Sequence, residues 1–260
     1  MNVVAASGWH ARAFGSAVAD LDLRFDAGAP QRTITALLAH CLRDARGDAP
    51  LPGELTRWSL ARRLHALIAV RLAGEPGAHE PLQARCELCG AEYEFDLALE
   101  RCAEFVPDDA PLHWLAPDGR RLQLHLPCAA DFEAWQARGM VDAQRLAAML
   151  VDAVDDAPPL DGFELDAAWL LPLADAMAMR DPLNALAVDA DCPDCGHRQS
   201  LEIELESLLL HAFARQQRHL LDSVLRLAQA LHWTEAEIVA LPAWRREFYL
   251  DRMAPGATLT

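Results

Sequence analysis

The chain has 260 residues, and its 39 acidic and 23 basic residues give it a formal net charge of -16. All of these basic residues are arginines, because the sequence contains no lysine. A hydrophobic content of 52% is enough to build a core, which excludes a chain that is disordered over most of its length. Nonspecific nucleic-acid binding depends on clustered positive charge, so this charge balance argues against a nucleic-acid partner and keeps copies of the chain apart.

The segment from Met1 to Val18 lacks a basic region followed by a long apolar run, so we expect no secretory signal. No apolar stretch approaches the roughly 20 residues that a membrane-spanning helix needs. We therefore expect a cytoplasmic protein that does not contact a membrane. In a reducing compartment the seven cysteines are expected to serve metal or redox chemistry rather than structural disulfides.

The first half of the chain predicts helices followed by short strands. Apolar residues at helical spacing predict one helix from about Thr33 and a second over about residues 54–73. Alternating apolar and polar residues at 93–99 predict a half-buried strand. The turn sequence Pro117-Asp118-Gly119 precedes a second alternating run, at residues 122–126, and predicts a hairpin.

The second half of the chain predicts mainly helices. They cover about residues 129–153, 165–179 and 206–232, and a continuous apolar stripe makes the last of them the clearest. Thr234-Glu235-Ala236-Glu237 has the form of a capping box, which predicts that a short helix begins at Thr234. A final helix is expected after Pro242.

One motif occurs twice in the chain. The five residues at 86–90, Cys-Glu-Leu-Cys-Gly, match the five at 192–196, Cys-Pro-Asp-Cys-Gly, and the match continues without a gap into a strand-like segment after each. The glycine that follows the second cysteine lets the backbone turn tightly, so that amides can face the thiolates. The two segments are therefore interpreted as zinc knuckles of the same design.

A single knuckle offers two sulfur ligands, whereas a closed structural zinc site takes four. We therefore expect Cys86, Cys89, Cys192 and Cys195 to bind one structural Zn²⁺. Local zinc ribbons separate their cysteine pairs by roughly 15 to 20 residues, so here the ion would instead join two distant parts of a helical fold. The cost of closing a long loop grows only with the logarithm of its length, and zinc binding worth about 10 to 16 kcal/mol in small peptides offsets it.

Two alternatives to this shared site stay open from the sequence. A redox Cys-x-x-Cys usually lies at a helix N-terminus after a strand, whereas here glycine and strand-like residues follow each pair. Two separate half-sites would need extra ligands, for which His197 and Cys102 are candidates. The cysteines outside the knuckles, Cys41, Cys102 and Cys128, are otherwise expected to be small core residues.

The sequence contains none of the common hydrolase, phosphate-loop or dinucleotide-binding motifs. A zinc ion closed by four cysteines has no open coordination position and supplies no activated water. The acidic pairs Asp108-Asp109 and Asp155-Asp156 are explained by solvated faces and turn caps. We therefore expect a protein that is not an enzyme and has no small-molecule substrate.

Several features occur together in the C-terminal third: the Cys-Pro-Asp-Cys-Gly-His run at 192–197, a long helix, His-Trp-Thr-Glu-Ala-Glu-Ile at 232–238, and Leu-Pro-Ala-Trp-Arg-Arg at 241–246. This arrangement resembles the T-even-type baseplate hub assembly proteins, found in contractile phages and in phage-tail-like contractile injection systems of bacteria. The earlier knuckle and the hairpin near 119–127 are similar to the bacterial members. The resemblance covers about residues 33–253.

The resemblance implies a role in building or completing the baseplate hub, as an assembly chaperone or a minor component. Such a protein would act by contact with hub or spike proteins and without catalysis. A runner-up from another class is a zinc-ribbon adaptor for nucleic acid or the transcription machinery, against which the net charge and the absence of a basic, aromatic-rich strand beside either knuckle argue.

The last predicted helix is a candidate partner-binding surface. It carries Trp244, Arg245, Arg246, Phe248 and Tyr249, and aromatic residues and arginine are favoured at interface cores. The alternative is that Trp244 and Phe248, spaced by four residues, pack onto the long helix before them.

Together these features predict a mostly α-helical fold with small β elements, in which two zinc-knuckle β-hairpins join in one zinc-ribbon-like site. Residues 31–253 are expected to form one compact domain. The segments along the chain are an N-terminal arm at 1–30, a helical part at 31–79, the first knuckle and hairpin at 80–128, middle helices at 129–182, and the second knuckle with the C-terminal helices at 183–260.

Overall fold

A computed structural model of the chain describes residues 3–5, 8–139, 142–160 and 162–253. Within these residues it contains ten α-helices and four small antiparallel sheets. The predicted fold class, mostly α with small β elements, is confirmed at this level. In the described part of the chain, no helix combines the length and the apolar character needed to cross a membrane.

The helices are α1 (Pro30–Cys41), α2 (Pro52–Leu55), α3 (Leu60–Gly74), α4 (Leu99–Ala103), α5 (Ala129–Ala137), α6 (Ala143–Ala148), α7 (Leu170–Arg180), α8 (Leu205–Leu231), α9 (Glu235–Val239) and α10 (Ala243–Met253). The strands are β1 (Val3–Ala5), β2 (Trp9–Ala11), β3 (Leu42–Arg43), β4 (His79–Arg85), β5 (Glu92–Ala98), β6 (Leu112–Leu115), β7 (Arg121–Leu124), β8 (Val151–Val154), β9 (Ala187–Asp191) and β10 (Arg198–Glu202). Short 3-10 helices lie at Val18–Asp22 and Ala167–Trp169.

The main core lies between α1, α3 and the first half of α8. The apolar face predicted for α1 is confirmed, because Ile34, Leu37 and Leu38 are fully buried there. Phe213 of α8 is also completely buried and meets Phe14 edge to face, with ring centroids 5.5 Å apart. Burying such side chains stabilises the fold by roughly 1.5 to 3 kcal/mol each.

The helix predicted at residues 54–73 is wrong as one element, because α2 ends at Leu55 and α3 begins at Leu60. Ser59 explains the break. Its side-chain oxygen accepts the backbone N–H of Arg62 at 3.2 Å, which caps α3, and its backbone forms an isolated β-bridge with Cys128. A serine that caps a helix has extended backbone geometry and does not continue a preceding helix.

The helix predicted at 129–153 is also wrong as a single element. Its described residues form α5, α6 and strand β8, and residues 140 and 141 lie outside the described part. Gly139, with φ of +60°, follows the end of α5, and Asp142 caps α6 by accepting the N–H of Gln144. Strand β8 pairs with β7 and extends the predicted hairpin into a three-stranded sheet, so a distant partner overrides the local helical pattern.

The segment 1–30, predicted as a separate arm, does not behave as one in its described residues from 9 onward. Phe14 and Leu23 are buried in the main core. Asp20 is completely buried, and its carboxylate accepts hydrogen bonds from both terminal nitrogens of Arg12, at 2.6 and 2.7 Å, and from the N–H of Gly15 at 2.8 Å. Burial raises the pKa of Asp20, but the hydrogen bonds and charge of Arg12, together with the N–H groups of Gly15 and Ala17, hold that pKa below its ordinary value.

Two smaller cores complete the fold. The sheet of β6, β7 and β8 packs on α7 through Leu122, Trp169 and Leu173. The second half of α8 packs on α9 and α10. The predicted capping box is confirmed, since the Thr234 hydroxyl accepts the N–H of Glu237 at 3.3 Å and the Glu237 carboxylate accepts the N–H of Thr234 at 2.8 Å.

A buried carboxylate fixes the hairpin of β4 and β5 to the helices. Glu80 of β4 is 1% exposed, and its two oxygens accept hydrogen bonds from Arg71 of α3 at 2.8 Å and from Arg215 of α8 at 3.1 Å. Because a buried charge needs partners, this contact holds the hairpin in one position relative to α3 and α8.

We expect Arg71→Leu to lower the free energy of unfolding by about 3 kcal/mol, because it leaves the buried charge of Glu80 with one partner less. Arg121→Leu is the matched control. Arg121 is 67% exposed and pairs with the exposed carboxylate of Asp156, so its loss should cost less than about 1 kcal/mol. Urea denaturation of both variants measures the difference, and equal losses would contradict this role of Glu80.

Candidate metal centre

The two repeated motifs lie at the tips of two antiparallel hairpins. Hairpin I consists of β4 and β5, which pair from His79 opposite Ala98 to Arg85 opposite Glu92, with the first motif between them. Hairpin II consists of β9 and β10, whose pairing ends at Asp191 opposite Arg198 around the second motif. Each motif is therefore a turn, and the strand before each motif completes the hairpin.

The backbone of each turn explains the glycine that both motifs contain. The N–H of Gly90 donates to the carbonyl of Cys86, and the N–H of Gly196 donates to the carbonyl of Cys192, both at 2.9 Å. These glycines have φ values of +76° and +72°, in the left-handed region that other residues enter only with strain. The two turns thus have the same geometry and aim their sulfurs in the same way.

The four predicted sulfur ligands converge. All four lie within 4.8 Å of one another, with Cys86 and Cys195 3.6 Å apart and Cys89 and Cys192 3.7 Å apart. A tetrahedron with metal–sulfur distances of about 2.3 Å has edges of about 3.8 Å. The four cysteines are therefore close enough to bind one metal ion. Among the described residues, no other group of three or more cysteine, histidine or acidic side chains is arranged in this way.

This geometry decides between the alternatives that the sequence left open. Cys102, the candidate ligand for a separate half-site, is buried in the main core with Leu97 and Leu99. His197 does not belong to the group of converging ligands. Both motifs lie in hairpin turns rather than at helix N-termini, the position of a redox Cys-x-x-Cys. The arrangement therefore fits one shared site.

Burial and charge differ within the cluster. Hydrogen bonds from the N–H groups of Cys89 and Leu88, opposed by desolvation, lower the pKa of the Cys86 thiol to about 6. The N–H of His197 lowers the pKa of the Cys195 thiol, but desolvation and the three neighbouring sulfurs raise it to about 12 overall. One thiolate therefore forms readily and the next only at a cost, because like charges would lie within 4 Å. A bound divalent cation would remove that cost.

A small apolar cluster joins the hairpins beneath the sulfurs. Tyr93 and Phe95 of hairpin I pack with Ala190 and Leu201 of hairpin II, and the sulfurs of the first cysteine in each motif lie beside them. Cys86 and Cys192 are accordingly 2% exposed, whereas the second cysteine of each motif is exposed. The hairpins therefore meet along a partly apolar contact as well as at the sulfurs.

Gln199 of β10 is a residue of the site that the sequence analysis missed. Its side chain is buried, and it bridges the hairpins: the amide nitrogen donates to the carbonyl of Arg85 at 3.0 Å, and the amide oxygen accepts the N–H of Glu87 at 2.9 Å. In the repeat, Gln199 corresponds to Tyr93, and Glu87 corresponds to Pro193, which has no N–H. Hairpin I thus has a backbone donor that needs a partner, and hairpin II has none at that position.

The predicted partner-binding residues lie on α10. Trp244 is 68% exposed and Phe248 is 49% exposed, so the alternative that both pack onto the long helix is wrong. Arg245 donates to the Tyr249 hydroxyl at 3.0 Å. Arg246 instead donates to two backbone carbonyls at the end of α9, those of residues 239 and 241, and thus stabilises the connection between α9 and α10.

The acidic pairs considered as catalytic candidates take part in ordinary surface contacts. Asp108 forms an ion pair with Arg180, and Asp109 with Arg62. Asp156 pairs with Arg121. These acidic residues were expected on solvated faces or as turn caps, and the ion pairs with arginine are an addition that the sequence analysis did not predict.

We expect Gln199→Leu to weaken metal binding by roughly 10- to 100-fold, because it removes the amide that orients the backbone of the first motif. Binding of Co²⁺, whose absorption reports tetrahedral thiolate coordination, would be measured in competition with a chelator. Gln83→Leu is the matched control, since the Gln83 amide contacts only the exposed Glu94 carboxylate, at 3.0 Å, among the described residues. Equal Co²⁺ affinities of the two variants would contradict the role of Gln199.

No family model, curated protein or solved structure matches the chain.

Proposed function

We propose that Cys86, Cys89, Cys192 and Cys195 bind one structural zinc ion and that the two hairpins form a zinc-ribbon-like unit around it. The convergence of the four sulfurs is the observation that supports this proposal. Four thiolates in a tetrahedral arrangement favour zinc or iron, and zinc is the usual metal of closed Cys₄ sites that hold a fold together. Such a site leaves no coordination position for a substrate or a catalytic water.

The proposed ion would join the tips of the two hairpins. Hairpin I is held to α3 and α8 through Glu80, and hairpin II leads directly into α8. Joining the two tips would close a ring of contacts that includes Glu80, the metal and the start of α8. Binding energy at the sulfurs would then stabilise the arrangement of the helices and not just that of the hairpins.

Elemental analysis of the purified protein is expected to find one zinc per chain. Cys192→Ser should lose the metal and expose the amides of both hairpins to hydrogen exchange, because the three sulfurs that remain do not close a four-ligand site. Cys128→Ser is the matched control, since Cys128 lies outside the sulfur cluster, and it should retain both zinc and protection. Iron in place of zinc, or a protein purified under reducing conditions without metal, would contradict the proposal.

We further propose that the protein is a non-enzymatic assembly chaperone or minor component of the baseplate hub of a contractile tail, in a phage or a phage-tail-like injection system. The resemblance of about residues 33–253 to hub assembly proteins, strongest after Leu186, supports this role. The exposed aromatic and arginine side chains of α10 support action by protein contact, since these residue types dominate interface cores.

The alternative, a zinc-ribbon adaptor for nucleic acid, has weaker support. Strand β5 beside the first motif carries Glu92, Glu94 and Asp96, and a phosphate backbone would be repelled there. The net charge of -16 also disfavours binding to a phosphate backbone. Submicromolar binding of DNA or RNA with a steep salt dependence would favour the adaptor over the hub role.

We expect Trp244→Ala and Arg245→Ala to weaken co-purification with hub or spike proteins of the same contractile system by about tenfold each, as for residues at the centre of an interface. Both side chains are exposed, so the melting temperature should not change. Leu225→Ala is the matched control, because Leu225 is 57% exposed but lies on α8. Unchanged co-purification of both α10 variants would contradict the assignment of this surface.

A further inference from the structure

Helix α7 exposes an apolar stripe to solvent. Leu171 is 79% exposed and Met179 is 86% exposed, and Asp175 lies between them at four-residue spacing. These positions share one face of the helix. Leu173 is buried and Leu170 and Met177 pack beside it against the core, so Leu171 and Met179 lie on the opposite, exposed side of the helix. Exposed apolar side chains on one helix face can contribute to an interaction site when a partner also satisfies the charge between them.

The charge on this face is negative and uncompensated. Arg180 at the end of α7 already pairs with Asp108 at 2.5 Å, and Arg145 of the neighbouring α6 lies 3.7 Å from Asp142. Asp175 is exposed and forms no ion pair with another described residue. A partner for this face therefore needs apolar side chains together with positive charge.

Helix α10 presents the complementary surface. Trp244, Phe248 and Arg252 follow one another at four-residue spacing on its exposed face, with Arg245 beside them. Among the described residues, the two arginines contact aromatic rings rather than carboxylates. The Cζ atom of Arg252 lies 5.1 Å from the ring centroid of Phe248, and the Cζ atom of Arg245 lies 5.6 Å from the ring centroid of Tyr249. The acidic residues of α10 lie on its other flank: Glu247 and Asp251.

We propose that α10 of one copy of the chain packs on α7 of a second copy. Both helices have 11 residues, so the two exposed stripes match in length as well as in spacing. In an antiparallel contact, Trp244 meets Met179, a favourable aromatic–thioether pair, and Phe248 lies over the turn that carries Asp175. The arginines beside Phe248 then reach the carboxylate of Asp175.

Charge identifies a second copy as the occupant. The net charge of -16 makes two copies repel on average, so they associate only where local charges are complementary. Arg245 and Arg252 of α10 and Asp175 of α7 provide such a pair on the same chain. Since two different surfaces meet, the contact is heterologous and builds a closed ring or an open chain rather than a symmetric dimer.

This proposal does not depend on the hub role, although both use α10. The face of α10 can contact either a second copy or a hub protein at one time, so self-association and hub binding would compete. Asp175 lies on α7, outside the surface proposed for hub binding. A change there separates the two proposals.

Sedimentation velocity over a range of protein concentrations tests the contact. The wild-type protein is expected to associate reversibly in the micromolar range or above, and Asp175→Arg should weaken association by at least about tenfold. The combination of Arg245→Glu with Arg252→Glu should do the same. A chain that carries all three changes restores opposite charges across the contact and should recover association.

Asp222→Arg is the control, because it reverses an exposed charge on α8 away from both stripes. It should associate like the wild type. Circular dichroism confirms that each variant is folded. A wild-type protein that stays monomeric at the highest concentration, or a triple variant that does not regain association, would overturn the proposal. In either case Asp175→Arg should still co-purify with hub proteins, so the hub role is tested separately.

Discussion

The convergence of four sulfurs from two hairpins is the constraint on which the arrangement of the chain depends. Each motif by itself offers two ligands and a tight turn, and neither closes a site. The two meet because hairpin I is fixed to α3 and α8 through the buried Glu80, while hairpin II continues into α8. A second bridge, from Gln199 to the backbone of hairpin I, supports the same contact. The contacts of Glu80 with α3 and α8 therefore also position hairpin I for the sulfur cluster.

The parts of this structure that the sequence predicts well are those specified by nearby residues. The apolar stripe of α8, the capping box at Thr234 and the turn before β7 each depend on residues within a few positions of one another. The sulfur ligands were predicted for a different reason. One motif supplies two of the four ligands that a closed zinc site takes, so the second copy is expected to supply the other two. Coordination chemistry thus predicted a contact between distant residues that the periodicity of the sequence does not predict.

The parts that the sequence did not predict depend on distant partners. Residues 151–153 were predicted as the end of a helix, yet they belong to β8 because β7 offers a free edge. The N-terminal residues were predicted as an arm, yet part of this segment lies in the core. Asp20 pairs with Arg12 within the segment, and the amide of Gln217 in α8 donates to the carbonyls of residues 20 and 23. Such pairs have no local pattern, since the partner of a buried polar group is known only once the chain is folded.

The two copies of the motif differ at positions that give the two hairpins different roles. Pro193 removes a backbone N–H from hairpin II, and the corresponding position of hairpin I keeps its N–H and obtains Gln199 as acceptor. Tyr93, the counterpart of Gln199, instead contributes to the apolar contact between the hairpins. At this position of the repeat, hairpin II thus supplies a polar bridge and hairpin I supplies an apolar side chain. A metal centre closed by four cysteines would offer no position to a substrate, which is why our proposals place contact with other molecules on the exposed residues of α7 and α10.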